Sequence, residues 1–178
     1  LSQNITVRGV KITTHGPNND GCDPESCRDV LIEDCLFDTG DDCIAIKSGK
    51  NNDGRRVNGL SENIVIRNCT MKDGHGGVTI GSEISGGVRY VFAERCQMDS
   101  PNLDRALRLK TNAMRGGVLE HIYMRDVTIG QVADAVVHVD TWVLSCRAFA
   151  RRVEHASLRA LFDRFDEGRY LLRREHRH

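Results

Sequence analysis

Long apolar runs are absent from the 178 residues, so no stretch could cross a bilayer as a helix. An excess of either charge is also absent, since 25 Lys and Arg balance 25 Asp and Glu. A basic face for nucleic acid or membrane is therefore not expected, and neither partner is assigned. Aromatic residues make up only 5%, against 17 glycines. That balance suits many turns and short strands better than a helical bundle. The chain has neither an initiating Met nor a secretory leader pattern, and its opening LSQNITVRGV already reads as strand. This is expected of a segment that starts inside a larger protein.

Zinc-type cysteine pairs are missing as well. The seven cysteines (Cys22, Cys27, Cys35, Cys43, Cys69, Cys96, Cys146) are odd in number and form no pair of CxxC units with a His partner. No metal and no cofactor are expected. Cys22 and Cys27 are close enough for a local disulfide in an exported protein. The plainer reading is that most of the cysteines are small buried hydrophobes.

What is present is a repeat. ITVRGV, VLIEDC, IVIRNC, VFAERC and IYMRDV align to give the apolar columns Ile5/Val30/Ile64/Val91/Ile122 and Val7/Ile32/Ile66/Ala93/Met124. A third column is Val10/Cys35/Cys69/Cys96/Val127, with spacings of 25, 34, 27 and 31 residues. Side chains two apart share one face of a strand. Irregular spacing excludes ankyrin and tetratricopeptide arrays, and the Leu/Asn pattern of leucine-rich repeats is absent. It suits a β-solenoid, whose turns vary while its strands stay in register. Three parallel sheets are expected, with Cys35, Cys69 and Cys96 stacked inside. A further strand follows in each coil: DGCD at 20–23, DDCIAI at 41–46, GGVTI at 76–80, ALRLK at 106–110 and AVVHV at 135–139. There Ile44, Val78, Leu107 and Val136 are expected inward, then Ile46, Ile80, Leu109 and His138, which makes His138 a core or rim histidine. The predicted fold class is all-β, a right-handed parallel β-helix over 1–144. Residues 145–178 carry nine arginines, no lysine and one glycine. They are expected to be either a capping element with a short amphipathic helix or an unrelated sequence joined by a reading-frame change.

Across successive coils the outward positions bring polar groups together. Asp20 and Asp42 share a column, Asp41 precedes Asp42, His75 takes the matching place one coil on, and Arg108 and Lys110 follow on one face. Glycoside hydrolysis needs one protonated carboxyl to donate to the leaving oxygen and another, ionised, to activate water or attack. Crowded carboxylates raise at least one pKa of the set, and cations can hold an acidic sugar. Each element alone has a plain reading: GDD is ordinary turn chemistry, and RLK is a solvated strand face. Asp23 and Lys47 are read as solvated surface.

Taken together, NND at 18–20, GDD at 40–42, GHG at 74–76 and RLK at 108–110 resemble the four motifs of the polygalacturonases, glycoside hydrolase family 28, in the family's order over roughly residues 1–140. The resemblance implies hydrolysis of α-1,4 bonds in polygalacturonate, in endo or exo fashion, by an inverting enzyme. It implies that Asp41 is the general acid, that Asp42 and Asp20 position the water, and that His75 supports the acid. It also implies that Asn18, Arg108 and Lys110 bind substrate. Close carboxyls alone would favour retention, and the resemblance is followed instead. A monomer, secreted or periplasmic, is expected. The family's Tyr beyond the last motif has no counterpart here, because Tyr123 lies inside a strand. The alternatives are a pectate-lyase-like β-helix whose Asp cluster holds Ca²⁺, and a non-catalytic, truncated polysaccharide-binding solenoid.

Overall fold

A computed structural model describes residues 1–139 as a parallel β-helix of three sheets. The first sheet stacks β1 (Gln3–Arg8), β3 (Arg28–Glu33), β6 (Ser61–Arg67), β9 (Val88–Glu94) and β12 (Leu119–Arg125). The second stacks β2 (Lys11–Thr14), β4 (Leu36–Thr39), β7 (Thr70–Met71), β10 (Gln97–Met98) and β13 (Thr128–Ile129). The third stacks β5 (Ile44–Ile46), β8 (Val78–Ile80), β11 (Arg105–Leu109) and β14 (Ala135–Val139). A short helix, α1 (Asn51–Val57), fills the loop between β5 and β6. The expected boundary near residue 145 and the proposed tail helix lie outside the described residues.

The two first-sheet columns are in register as expected: Ile5 pairs with Val30, Val30 with Ile64, Ile64 with Val91 and Val91 with Ile122. In the middle coils these columns are closed to solvent, together with Phe37, Met71, Ile44, Ile46 and Ile80. Burying each such side chain contributes about 1.5–3 kcal/mol. At the end of each first-sheet strand one residue takes a left-handed conformation, at Gly9, Asp34, Asn68, Arg95 and Asp126 (φ +51° to +66°). Glycine, Asn and Asp adopt this most readily. The bend turns the chain into the second sheet and places the following Cys35, Cys69 and Cys96 inside, at 3%, 1% and 1% exposure.

Outside, the same register aligns Arg8, Glu33, Arg67, Glu94 and Arg125 into a ladder of alternating charge. Glu33 is ion-paired with Arg8 and Arg67, and Glu94 with Arg125 at 2.6 Å. The guanidinia, Arg67 first, hold the Glu33 carboxyl below the usual carboxylate range.

Two expectations are corrected. DGCD is not a strand: only Cys22 and Glu25 bridge to the next coil, at Ile44 and Lys47, because the chain bends through Gly21 and Pro24. In β14 the register is one residue later than expected. Leu107 pairs with Val137, Leu109 with Val139, and His138 with Arg108, so His138 belongs to the Ala45/Thr79/Arg108 column and not to that of Ile46, Ile80 and Leu109, while Val136 packs against the core as expected. The six cysteines of the described residues are free thiols, so Cys22 and Cys27 are not bridged.

Cys35, Cys69 and Cys96 should resist a soluble thiol reagent in the folded chain. Peptide mass spectrometry should find them labelled at least ~10²-fold faster in denaturant, since labelling then requires opening of the core. Rapid labelling under native conditions would refute the stacking.

Candidate active site

The polar cluster forms where the chain enters the third sheet. Backbone hydrogen bonds line up one residue from each coil: the Asp41 amide donates to the Asn19 carbonyl (3.2 Å), His75 to Asp41 (3.1 Å) and Asp104 to Gly74 (2.8 Å). GHG has its two glycines for steric reasons. A Cβ at Gly74 would stand 2.6 Å from the Asp41 carbonyl oxygen, and one at Gly76 would stand 2.2 Å from Thr79 Oγ1 and 3.1 Å from Asp42 Oδ1. Neither backbone could approach the Asp pair so closely with a side chain.

The three carboxylates have different partners. His75 Nδ1 lies 3.0 Å from Asp41 Oδ1, and His75 is the side-chain partner of Asp41 among the described residues. Asp42, 1% exposed, accepts from Thr79 Oγ1 at 2.8 Å and from Lys110 Nζ at 2.8 Å. Its amide donates to Asp20 Oδ1 at 3.1 Å. Asp20 Oδ2 accepts from Lys47 Nζ at 3.0 Å, and the same ammonium reaches Asp23 Oδ2 at 2.6 Å. One oxygen from each of Asp20, Asp41 and Asp42 lies within 4.8 Å of the others. Arg108 sits between Thr79 and His138 in its column. Asn18 is exposed and lines an open cleft with Thr14, Asn19, Asp20 and Asp23. A second cleft is lined by His75 together with His15, Asp73, Asn102 and Asp104.

Asp20, Asp41, Asp42, His75 and Lys110 are thus drawn into one network, with Asn18 and Arg108 at its margin. Two participants were assigned to solvated surface: Lys47 and Asp23. A sequence signal for Lys47 did exist, because Lys47 follows Ile46 just as Lys110 follows Leu109, and Ile46, Ile80 and Leu109 form one column. Thr79 had no signal, since its role depends on facing Asp42. Cys43 lies beneath the Asp pair, and burial pushes its thiol up to about 12, so it packs as a hydrophobe and is no nucleophile.

Burial, reinforced by the neighbouring Asp20, pushes the Asp23 carboxyl up to about 6 despite Lys47. Burial opposes the Lys47 charge, yet its two carboxylates hold it protonated beyond an ordinary lysine. One cation shared by two carboxylates leaves one negative charge in surplus, and Asp23 carries the strain.

Clustered carboxylates on a β-solenoid are the kind of groups that glycoside hydrolysis requires. The chain belongs to the family described as Glycosyl hydrolases family 28, whose sequence profile matches residues 1–145. It is 38% identical over 131 residues to a probable polygalacturonase of Vitis vinifera, covering 72% of this chain and 26% of the relative. It is 30% identical over 139 residues to an exo-poly-alpha-D-galacturonosidase of Dickeya chrysanthemi, covering 78% and 23%. Among solved structures it superposes on a hyperthermoactive exopolygalacturonase from Thermotoga maritima with a TM-score of 0.75 and 48% identity, over 77% of this chain and 31% of that one. The chain spans about a quarter of the length of these curated relatives.

Asp23 prefers its proton in the fold. Its contribution to stability is therefore present below its unfolded value of 3.8 and lost as pH rises through about 6. Asp23→Asn should raise the melting temperature at pH 7 and leave it nearly unchanged at pH 4. Scanning calorimetry at the two pH values checks this, and an equal change at both would contradict it.

Proposed function

We propose that the protein carrying this chain hydrolyses α-1,4 glycosidic bonds of polygalacturonate with inversion. The observation that carries this reading is the division of three clustered carboxylates between two kinds of partner: a histidine for Asp41, lysines for Asp20 and Asp42. Asp41 donates its proton to the leaving glycosidic oxygen, steadied by His75. Asp42 and Asp20, each neutralised by a lysine, accept hydrogen bonds from the attacking water and take its proton as the C–O bond forms. Their oxygens are close enough for one water to bridge them. The separation rule that would favour retention supposes a single carboxylate on the attacking side, whereas here two share that side.

Arg108 and Lys110 meet the galacturonate carboxylate and Asn18 binds at the cleft mouth. An ammonium has three donors, so Lys110 can hold Asp42 and a sugar carboxylate together. The second cleft, with Asp73 and Asp104 in its wall, would repel a polyanion. A lyase reading would place Ca²⁺ on the Asp cluster, but Lys47 and Lys110 already neutralise two of its three members. A polymer of this size cannot cross a membrane unaided, so the protein is read as secreted or periplasmic.

Three outcomes are expected. Hydrolysis followed by proton NMR should release the β-anomer of the new reducing end first, and the α-anomer first would mean retention. Asp41→Asn should lower kcat by at least ~10²-fold with the melting temperature unchanged; a smaller loss would remove Asp41 as the acid. Arg108→Ala should weaken binding of de-esterified substrate by about 1.5–3 kcal/mol and leave methyl-esterified pectin nearly unaffected. Lys110→Ala should lower turnover on both substrates, because it also strips Asp42 of its cation. Equal behaviour of the two variants across the two substrates would refute this division of roles.

A further inference from the structure

Lys47 carries more of this site than a strand lysine on the surface would. Its backbone is pinned on both sides: its amide donates to the Pro24 carbonyl at 3.1 Å, and its carbonyl accepts from the Ser26 amide at 3.0 Å and from Ser61 Oγ at 2.7 Å. Ile46 and Ser48, its neighbours, are fully buried. The side chain is 22% exposed and spans the gap to the preceding coil. Lys47 and Lys110 also hold equivalent places two coils apart, each directly after a member of the Ile46/Ile80/Leu109 column. Gly81 holds that place in the coil between, where a Cβ would stand 1.8 Å from the Lys110 carbonyl oxygen. Both ammonium groups reach back along the axis, Lys110 to Asp42 and Lys47 to Asp20.

We infer that Lys47 is a positioning residue: by bridging Asp20 and Asp23 it holds the Asp20 carboxylate so that one oxygen accepts the Asp42 amide while the carboxylate faces the attacking water. Asp23 is the second anchor of that bridge. With Lys47 gone, Asp20 would lose the ammonium that holds its Oδ2, and the carboxylate would be free to swing off the Asp42 amide. Lys47 does not touch substrate in this account, and acts through Asp20. The inference rests on the proposed hydrolysis for its catalytic consequence, but not for its structural one.

The test uses this chain as wild type, Lys47→Met and Lys47→Arg. Methionine keeps the apolar stem without the charge, and arginine keeps the charge. Amide hydrogen exchange by NMR reads the Asp42 N–H directly. In Lys47→Met it should exchange at least ~10-fold faster, with the Ile44 and Ile46 amides unchanged, and Lys47→Arg should restore most of the protection. On polygalacturonate, kcat of Lys47→Met should fall about 10- to 100-fold with KM within about twofold, as for a misplaced catalytic group. Unchanged Asp42 exchange in Lys47→Met would overturn the inference. So would acceleration shared by Ile44 and Ile46, which would mark a merely structural role, or faster Asp42 exchange with kcat intact. No hydrolysis by the wild type would instead count against the proposed function, and the exchange data would still decide the place of Lys47.

Discussion

The hydrogen-bond ladder between coils is the constraint on which the rest depends. It sets the rise from one coil to the next at about 4.8 Å. That spacing decides which side chains can meet. Neighbouring coils are within reach of short groups, so Asp20 can accept from the Asp42 amide, and His75 can rest on Asp41. Two coils, about 9.6 Å, can be spanned only by a long side chain. Lys110 reaches Asp42 across that distance, and the coil between leaves room because Gly76 and Gly81 stand there.

The same repetition acts in two directions on charge. On the first sheet the ladder alternates sign, and each carboxylate lies between guanidinia. At the entrance to the third sheet it repeats one sign, and Asp20, Asp41 and Asp42 crowd together. Stacked like charges are unfavourable unless cations or protons intervene. Lys47 and Lys110 intervene at two of the three, and a histidine stands at the third. The partners are unequal because they come from different coils, so chemically identical side chains sit in different surroundings. Asp23, pushed up to about 6, shows the cost where one ammonium must serve two carboxylates.

Much of this was legible in the chain. Period-two apolar columns define the inside of a strand whatever its partners, so the first-sheet register was readable from ITVRGV to IYMRDV. The motif residues were readable for the same reason, because equal steps from an aligned column land on equal places. Legibility failed where the period breaks. Around DGCD the chain bends instead of extending, and in β14 a one-residue shift moved His138 out of the column of Ile46, Ile80 and Leu109 into that of Arg108. Nothing in local pattern reports such a shift, since AVVHV offers apolar residues in both registers.

The sequence by itself determined that this is a solenoid, which residues line its first-sheet core and that Asp20, Asp41 and Asp42 come near one another, because all of these follow from spacing along the chain. Tertiary structure alone decided which cation serves which carboxylate. Lys47 and Lys110 occupy equivalent positions in the repeat, yet one bridges Asp20 and Asp23 and the other crosses a coil to Asp42. Partner choice depends on side-chain reach and on the room left by Gly76 and Gly81, and these are distances between coils that no spacing along one strand encodes.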